Sequence, residues 1–334
     1  MRSPMAPHPS LLLAVLSLAV VTQSGASRQL SIRQAKKKLP DTCIIAACAT
    51  VAGREDAVGR AVQSMLHQTI RLDVIYVSRC DHYVRSDKYN AMRRSLVNMA
   101  SVGNRSAANV WRDARVRVLN CTDQGPGTKL LCPLKHVQTD STSCIHTSRS
   151  TIFAVFDDDR VYASWLLARV VDCIHGAVPG VQHACSPMTY IVAANQTTAN
   201  QTGLQHGSVA TNLSVGQGAD VFAFVANPEL YHLPAYVECV TARLPLVLYH
   251  DDVWLSAYLR LRMNMTITRV KLGIHEHPYA PVPVPSATAS SPLVRTSLVA
   301  ARGQYRRRNV NREIRTALRN RTFHACVRRP YTVP

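Results

Sequence analysis

Short, unbroken apolar runs alternate along this chain with stretches whose apolar positions recur every three or four residues. Residues 42–50 (Thr-Cys-Ile-Ile-Ala-Ala-Cys-Ala-Thr) are the first such run. A helix from about residue 55 to residue 68 follows, with Val58, Ala61, Val62, Met65 and Leu66 on one face. Residues 72–77 form a second run; strand, helix, strand within so short a length is a βαβ unit, hence a parallel sheet. Residues 115–119 add a short strand. Residues 151–156 (Thr-Ile-Phe-Ala-Val-Phe) read as a buried strand, and Trp165, Leu166, Ala168, Arg169, Val170 and Val171 as the helix behind it. Residues 187–192 and 220–225 read as further strands, residues 195–214 as a polar loop and residues 229–241 as partly helical. His250-Asp251-Asp252 opens a last helix with Val253, Trp254, Ala257, Tyr258 and Leu261 on its apolar side. The fold class expected is α/β, a mostly parallel central sheet flanked by helices, in a single domain over residues 41–277.

The flanks differ. Arg2 and an apolar core over residues 11–21, followed by small residues to Ser27, predict a secretory signal peptide cleaved after Ala26 or Ser27, or else a signal anchor. Residues 28–40 are basic and polar and read as a stem. Residues 278–301, rich in Pro, Ser and Ala, read as a linker. Residues 302–334 carry ten Arg against the single acid Glu313 and read as a solvated basic tail, open to acidic lipid head groups or an acidic partner.

Composition adds a compartment and excludes little. The chain has 334 residues, 47% of them apolar, enough to bury a sizeable core. Its formal net charge is +19, carried far more by Arg than by its seven Lys. The basic segments do not interleave with stacking aromatics, so nucleic acid is not an expected partner. Seven Asn-x-Ser/Thr sequons, at Asn104, Asn120, Asn195, Asn200, Asn212, Asn264 and Asn320, point to lumenal exposure. Ten Cys make disulfides plausible there, and the absence of any Cys-x-x-Cys pair speaks against structural zinc.

The candidate chemistry sits in three short segments. Asp123-Gln124-Gly125-Pro126-Gly127-Thr128-Lys129 is a tight turn with Thr128 and Lys129 at a helix start, offering N–H groups and one cation to a phosphate. Asp157-Asp158-Asp159 follows the strand at 151–156, at its carboxyl end and so at the mouth of an α/β sheet where ligands bind, and supplies hard oxygens for a divalent cation. Asp251-Asp252-Val253-Trp254-Leu255-Ser256 brings two more acids. For both acidic groups, capping of the following helix is the alternative reading.

The order Gly-Pro-x-Thr-Lys-Leu-Leu, Phe-Asp-Asp-Asp, Asp-Asp-Val-Trp-Leu-Ser resembles small GT-A type nucleotide-sugar glycosyltransferases, similar to glycosyltransferase family 2, over roughly residues 42–277. The resemblance implies a Rossmann-like GT-A domain binding a nucleotide-diphosphate sugar, with Mn or Mg at an Asp-x-Asp pair matched by Asp157 and Asp159. One of the acids Asp157 and Asp158 would meet the ribose, and Thr128 and Lys129 the donor. His275 would be a late metal ligand, with His277 as its alternate, and residues 216–220 part of an acceptor loop. Asp252, with Asp251 beside it, would take the proton of an acceptor hydroxyl, giving inverting transfer to a glycan, glycoprotein or glycolipid in the ER or Golgi lumen. A GT-A domain that binds without transfer, a basic polyanion-binding protein, and a hydrolase with paired carboxylates are the competing expectations. The segment after the first strand shows no evident acid for a nucleotide base, Asp73 lies within its expected strand, and Asp81 is the remaining candidate.

Overall fold

The computed structural model describes residues 39, 41–50, 54–80, 109–140, 144–146, 150–176, 181–193, 212–216, 221–273, 276–281 and 307–327. In chain order the elements are β1 Thr42–Thr50, α1 Glu55–Leu66, β2 Val74–Cys80, β3 Val116–Cys121, α2 Thr128–Thr139, β4 Ser150–Val155, β5 Arg160–Tyr162 and α3 Leu166–His175. They continue with β6 His183–Ser186, β7 Thr189–Ala193, β8 Asn212–Gly216, β9 Phe222–Val225, α4 Leu233–Arg243, α5 Asp251–Leu261, β10 Thr266–Arg269, β11 Tyr279–Pro281, α6 Arg307–Arg319 and α7 Thr322–Val327.

Seven strands form the central sheet in the order β10-β6-β9-β4-β1-β2-β3. β3, β2, β1 and β4 run parallel, and β10 is parallel to β6; β9 alone is antiparallel to both its neighbours, β4 and β6. The fold is the expected α/β class. β1 is central, with Ala47 opposite Tyr76 on one side and Val155 on the other. Its residues alternate between two apolar layers, Cys43 and Ile45 in one, Ile44, Ala46 and Cys48 in the other. Burial on both faces is what makes such a strand apolar without interruption. The first layer packs α2, α4 and α5 through residues such as Leu131, Val240 and Trp254; the second packs α1 and α3 through Val58, Val62, Leu167 and Val171.

Two expectations are corrected by this architecture. The strand expected at 187–192 is present as β7, but the polar loop expected over 195–214 is corrected at its end, where Asn212–Gly216 is β8 and pairs antiparallel with β7 as a ribbon separate from the central sheet. The basic segment near the C-terminus is not a solvated tail over residues 307–327. It folds as α6 and α7, and Ile314, Ala317, Leu318, Phe323, Cys326 and Val327 join the first apolar layer. Cys239–Cys326 ties α7 to α4, and Glu313 accepts the Leu246 N–H at 2.9 Å. Three more disulfides, Cys43–Cys144, Cys121–Cys132 and Cys173–Cys185, leave Cys48 and Cys80 as buried thiols. Among the described residues no helix is long and apolar enough to cross a membrane.

Candidate active site

The three acids after β4, Lys129 and Asp251 gather near the C-terminal ends of β1 and β4. After β4 the chain keeps one more ladder bond, Phe156 N–H to the Ala47 carbonyl at 2.9 Å, and then turns away as Asp157-Asp158-Asp159. Tyr162 fixes that turn. Its hydroxyl accepts the Asp157 N–H at 2.8 Å and donates to the Asp157 carbonyl at 3.0 Å, while its ring meets Phe156 edge-on. Tyr162 is in turn anchored to α1, its N–H donating to Ser64 Oγ at 3.0 Å. Gln68, wholly buried, ties the following segment to α1 by donating to the Ala163 carbonyl and accepting the Leu167 N–H. Such a fully satisfied buried network fixes one conformation.

The Gly-Pro-Gly turn brings in the second segment. Gly125 takes a positive φ of 68°, its N–H donating to Asp123 Oδ1 at 2.8 Å. Thr128, also wholly buried, directs its hydroxyl into the turn, donating to the Gly125 carbonyl at 2.8 Å and accepting the Gln124 N–H at 2.7 Å. Gly127 is dictated by the third segment: a Cβ there would lie 2.3 Å from Trp254 Cζ2. The turn and the start of α5 therefore touch through a missing side chain, a constraint that turn chemistry alone does not reveal.

That contact sets Lys129 between the two acidic motifs. Its Nζ lies 2.8 Å from Asp157 Oδ1 and 2.9 Å from Asp251 Oδ2. Lys129 and Asp251 are 6% and 8% exposed, so the ammonium is stripped of water and matched by carboxylates instead. Burial opposes its charge, but Asp157, Asp251 and Asp252 outweigh that and hold its pKa well above the ordinary range. Burial likewise pushes Asp157 up, and Lys129 more than reverses it, leaving Asp157 below the usual carboxylate range.

Arg54, at the end of the β1–α1 connection, performs the same service for the other two acids. One of its nitrogens, Nη2, lies 3.0 Å from Asp158 Oδ1 and 3.1 Å from Asp159 Oδ2; Arg160 Nε lies 3.5 Å from Asp159 Oδ1. Asp158 is the buried member of the three, with its second oxygen, Oδ2, buried and unpartnered. Burial raises its pKa to about 6, Arg54 opposing and Asp159 and Asp157 adding to the rise. Sequence reasoning passed over Arg54, Tyr162 and Gln68. Arg54 was visible only as a cation following a strand; the other two depend on contacts across the fold.

The expected residues divide clearly. Asp157, Asp251 and Lys129 are brought together directly, Asp158 and Asp159 adjoin them through the Asp157 backbone and Arg54, and Asp252 adds its field at Lys129. Thr128 is placed as the closure of the turn. His275, Asp81 and residues 217–220 lie outside the described residues. His277 is exposed, next to Glu276, which pairs with Arg169 at 3.3 Å. Asp73 is the other correction: it precedes β2 and clasps β1 at the opposite end of the strands, accepting the Ile44 N–H at 3.0 Å. It also lies near Cys43 and Cys144, but those sulfurs are bonded to each other and are not free thiolate ligands.

No family model and no curated protein matches the chain. Among solved structures it is similar to the mannosyltransferase PcManGT from Pyrobaculum calidifontis in complex with GDP-Man and Mn2+, at 14% identity and a TM-score of 0.38, covering 85% of this chain and 73% of that one. It is also similar to an active-site mutant of LgtC (12% identity, TM-score 0.32, 63% of this chain and 65% of that one). A third likeness is to galactosyltransferase LgtC in complex with donor and acceptor sugar analogs (12% identity, TM-score 0.27, 54% of this chain and 57% of that one). Likeness this loose says nothing about substrate or mechanism.

Proposed function

We propose that the protein is a metal-dependent, inverting glycosyltransferase that moves a sugar from a nucleotide-diphosphate sugar to an acceptor hydroxyl in the secretory pathway. The observation that carries the reading is Lys129, whose ammonium joins Asp157 of one acidic motif to Asp251 of the other. Asp157–Asp159 lead into β5 rather than a helix, and Asp251 and Asp252, though in the first turn of α5, are accompanied by no side-chain cap bond at His250.

The donor set suits a hard divalent cation. Asp157 and Asp159 keep partly exposed carboxylates, with side chains 33% and 41% accessible. Five carboxylates, Asp157, Asp158, Asp159, Asp251 and Asp252, face three cationic side chains, Arg54, Lys129 and Arg160, an excess of negative charge that a divalent ion would offset. Asp157 and Asp159 would hold Mn or Mg, with His275 a further proposed ligand; Asp158 remains a donor-side candidate, whereas Thr128, wholly buried with its N–H donating to the Gly125 carbonyl at 3.1 Å, shapes the turn rather than meeting the donor. When bound, the cation supplies Lewis-acid stabilisation of the charge that builds on the departing diphosphate.

The chain's own residues do the rest. Arg54 fixes the Asp158 and Asp159 carboxylates and Tyr162 the Asp157 backbone, while Lys129 presents a permanent positive charge to the diphosphate side of the cleft. Asp251 is buried against Lys129, whereas Asp252 is more exposed, which makes Asp252 the base. Asp252 removes the acceptor hydroxyl's proton as that oxygen attacks the anomeric carbon and the bond to the diphosphate oxygen breaks. A single displacement of this kind inverts the anomeric configuration.

Four disulfides support an oxidising compartment. The sequon residues Asn120, Asn264 and Asn320 are all exposed, as glycosylation in that compartment requires. The test is a panel of nucleotide-sugars with Mn or Mg and simple glycan acceptors, scored by nucleoside diphosphate release and by the configuration of the product. The reading expects metal-dependent release with one donor and an inverted product. Absence of release with every donor, or release unchanged by chelation, refutes it.

A further inference from the structure

Lys129 serves the cleft before any substrate does. Its Nζ lies within 3 Å of both Asp157 and Asp251, and its burial leaves the two carboxylates as its solvation. A divalent ion held by Asp157 would have to share that one carboxylate with the ammonium already paired to it, and two like charges on a single carboxylate repel. A diphosphate changes the balance by supplying the anion. Lysine is suited to the exchange: it is a point charge on a flexible stem, unlike the planar fork of Arg54 on the other side of the motif.

Resting on the transferase reading, we infer that Lys129 is a resident counter-ion that holds off the divalent cation until a diphosphate is present. With no donor present it bridges Asp157 and Asp251 and keeps divalent-cation affinity low. When the diphosphate arrives, the ammonium turns to it, which leaves Asp157 to the cation and Asp251 with Asp252 to the acceptor.

The experiment measures Mn2+ binding to the full-length chain, by titration calorimetry or by the electron paramagnetic resonance of free Mn2+. Mn2+ is added alone or with saturating inorganic pyrophosphate, and Asp159→Ala sets the background. Wild type should bind Mn2+ alone weakly and at least about tenfold more tightly with pyrophosphate. Lys129→Met should bind Mn2+ alone at least about tenfold more tightly than wild type, with the pyrophosphate effect reduced by a similar factor. Lys129→Arg, which retains the charge, should bind Mn2+ alone as weakly as wild type. Should Lys129→Met not fold by circular dichroism, Lys129→Gln carries the same expectation, because it keeps hydrogen-bond donors for both carboxylates without the charge. Equal Mn2+ affinity in wild type and the neutral variant, with pyrophosphate still enhancing binding, overturns this inference alone. Absence of Mn2+ binding above background in every arm overturns it together with the transferase reading.

Discussion

Gly127→Ala probes the packing that holds the proposed site together. The added Cβ would lie 2.3 Å from Trp254 Cζ2 and 3.0 Å from Cη2, where ordinary contact begins at 3.4 Å. Trp254 is 1% exposed, and a buried indole in a close-packed interior does not rotate aside without cost. The start of α2 and the start of α5 must therefore part by about 1 Å, at a cost of ~1–3 kcal/mol for an overpacked core. Lys129 and Asp251 stand on those two helix starts, 2.9 Å apart, and a displacement of that size takes them beyond hydrogen-bond distance. A misplacement of about 1 Å at a reacting centre lowers turnover by roughly a hundredfold. The assay pairs urea denaturation with nucleoside diphosphate release from the donor that the panel identifies. Trp254→Phe removes the edge that clashes, so the double variant should recover about 1 kcal/mol relative to the sum of the single effects. Wild-type turnover and an unchanged denaturation midpoint in Gly127→Ala would refute the coupling between the turn and the second acidic motif.

Tyr162→Phe should keep the fold but weaken Mn2+ binding by about tenfold, since it removes the hydroxyl that fixes the Asp157 backbone at a net ~1 kcal/mol per hydrogen bond, and calorimetry measures it. Asp158 gives a pH dependence in the metal-free protein. Its folded pKa is raised to about 6 from 3.8, so the folded state binds the proton more tightly and stability falls as pH rises from about 4 to about 6. The fall attributable to Asp158 is as much as ~3 kcal/mol, and Asp158→Asn should remove it from urea titrations across that window. Asp157 contributes in the opposite sense and lower down, its stabilisation being lost only as pH falls below the usual carboxylate range. Cys326→Ser opens a bridge spanning 87 residues and should destabilise the protein by about 4–5 kcal/mol by denaturation, if α7 belongs to the domain core.

The parts of the fold that sequence could show are those where burial repeats at short range. β1 and β4 are covered on both faces and so appear as unbroken apolar runs, and α1 is apolar on one side at helical spacing. β7 was legible as a strand; its partner β8 was not, because Asn212, Ser214 and Gly216 read as loop and a five-residue run does not name its neighbour. The helices at 307–327 were hidden by arginine. Ile314, Ala317, Leu318, Phe323, Cys326 and Val327 recur at three- and four-residue intervals, and that periodicity outweighs the charge between them. In the site, the acids and Lys129 were legible by residue type and motif order. Their ion pairs, Arg54 among them, depend on how β1, β4, α2 and α5 meet, which no single segment encodes.

The most direct test of two acidic motifs sharing one cleft compares Asp159→Ala and Asp252→Ala with wild type in a single assay that resolves donor binding from transfer, using the active nucleotide-sugar, Mn2+ and acceptor. The account predicts that Asp159→Ala loses Mn2+-dependent donor binding and transfer together. Asp252→Ala should bind donor within about threefold of wild type and lose transfer by about 10²-fold or more, the range of a removed general base. Full transfer by a folded Asp252→Ala protein, or donor binding indifferent to Asp159, would contradict it.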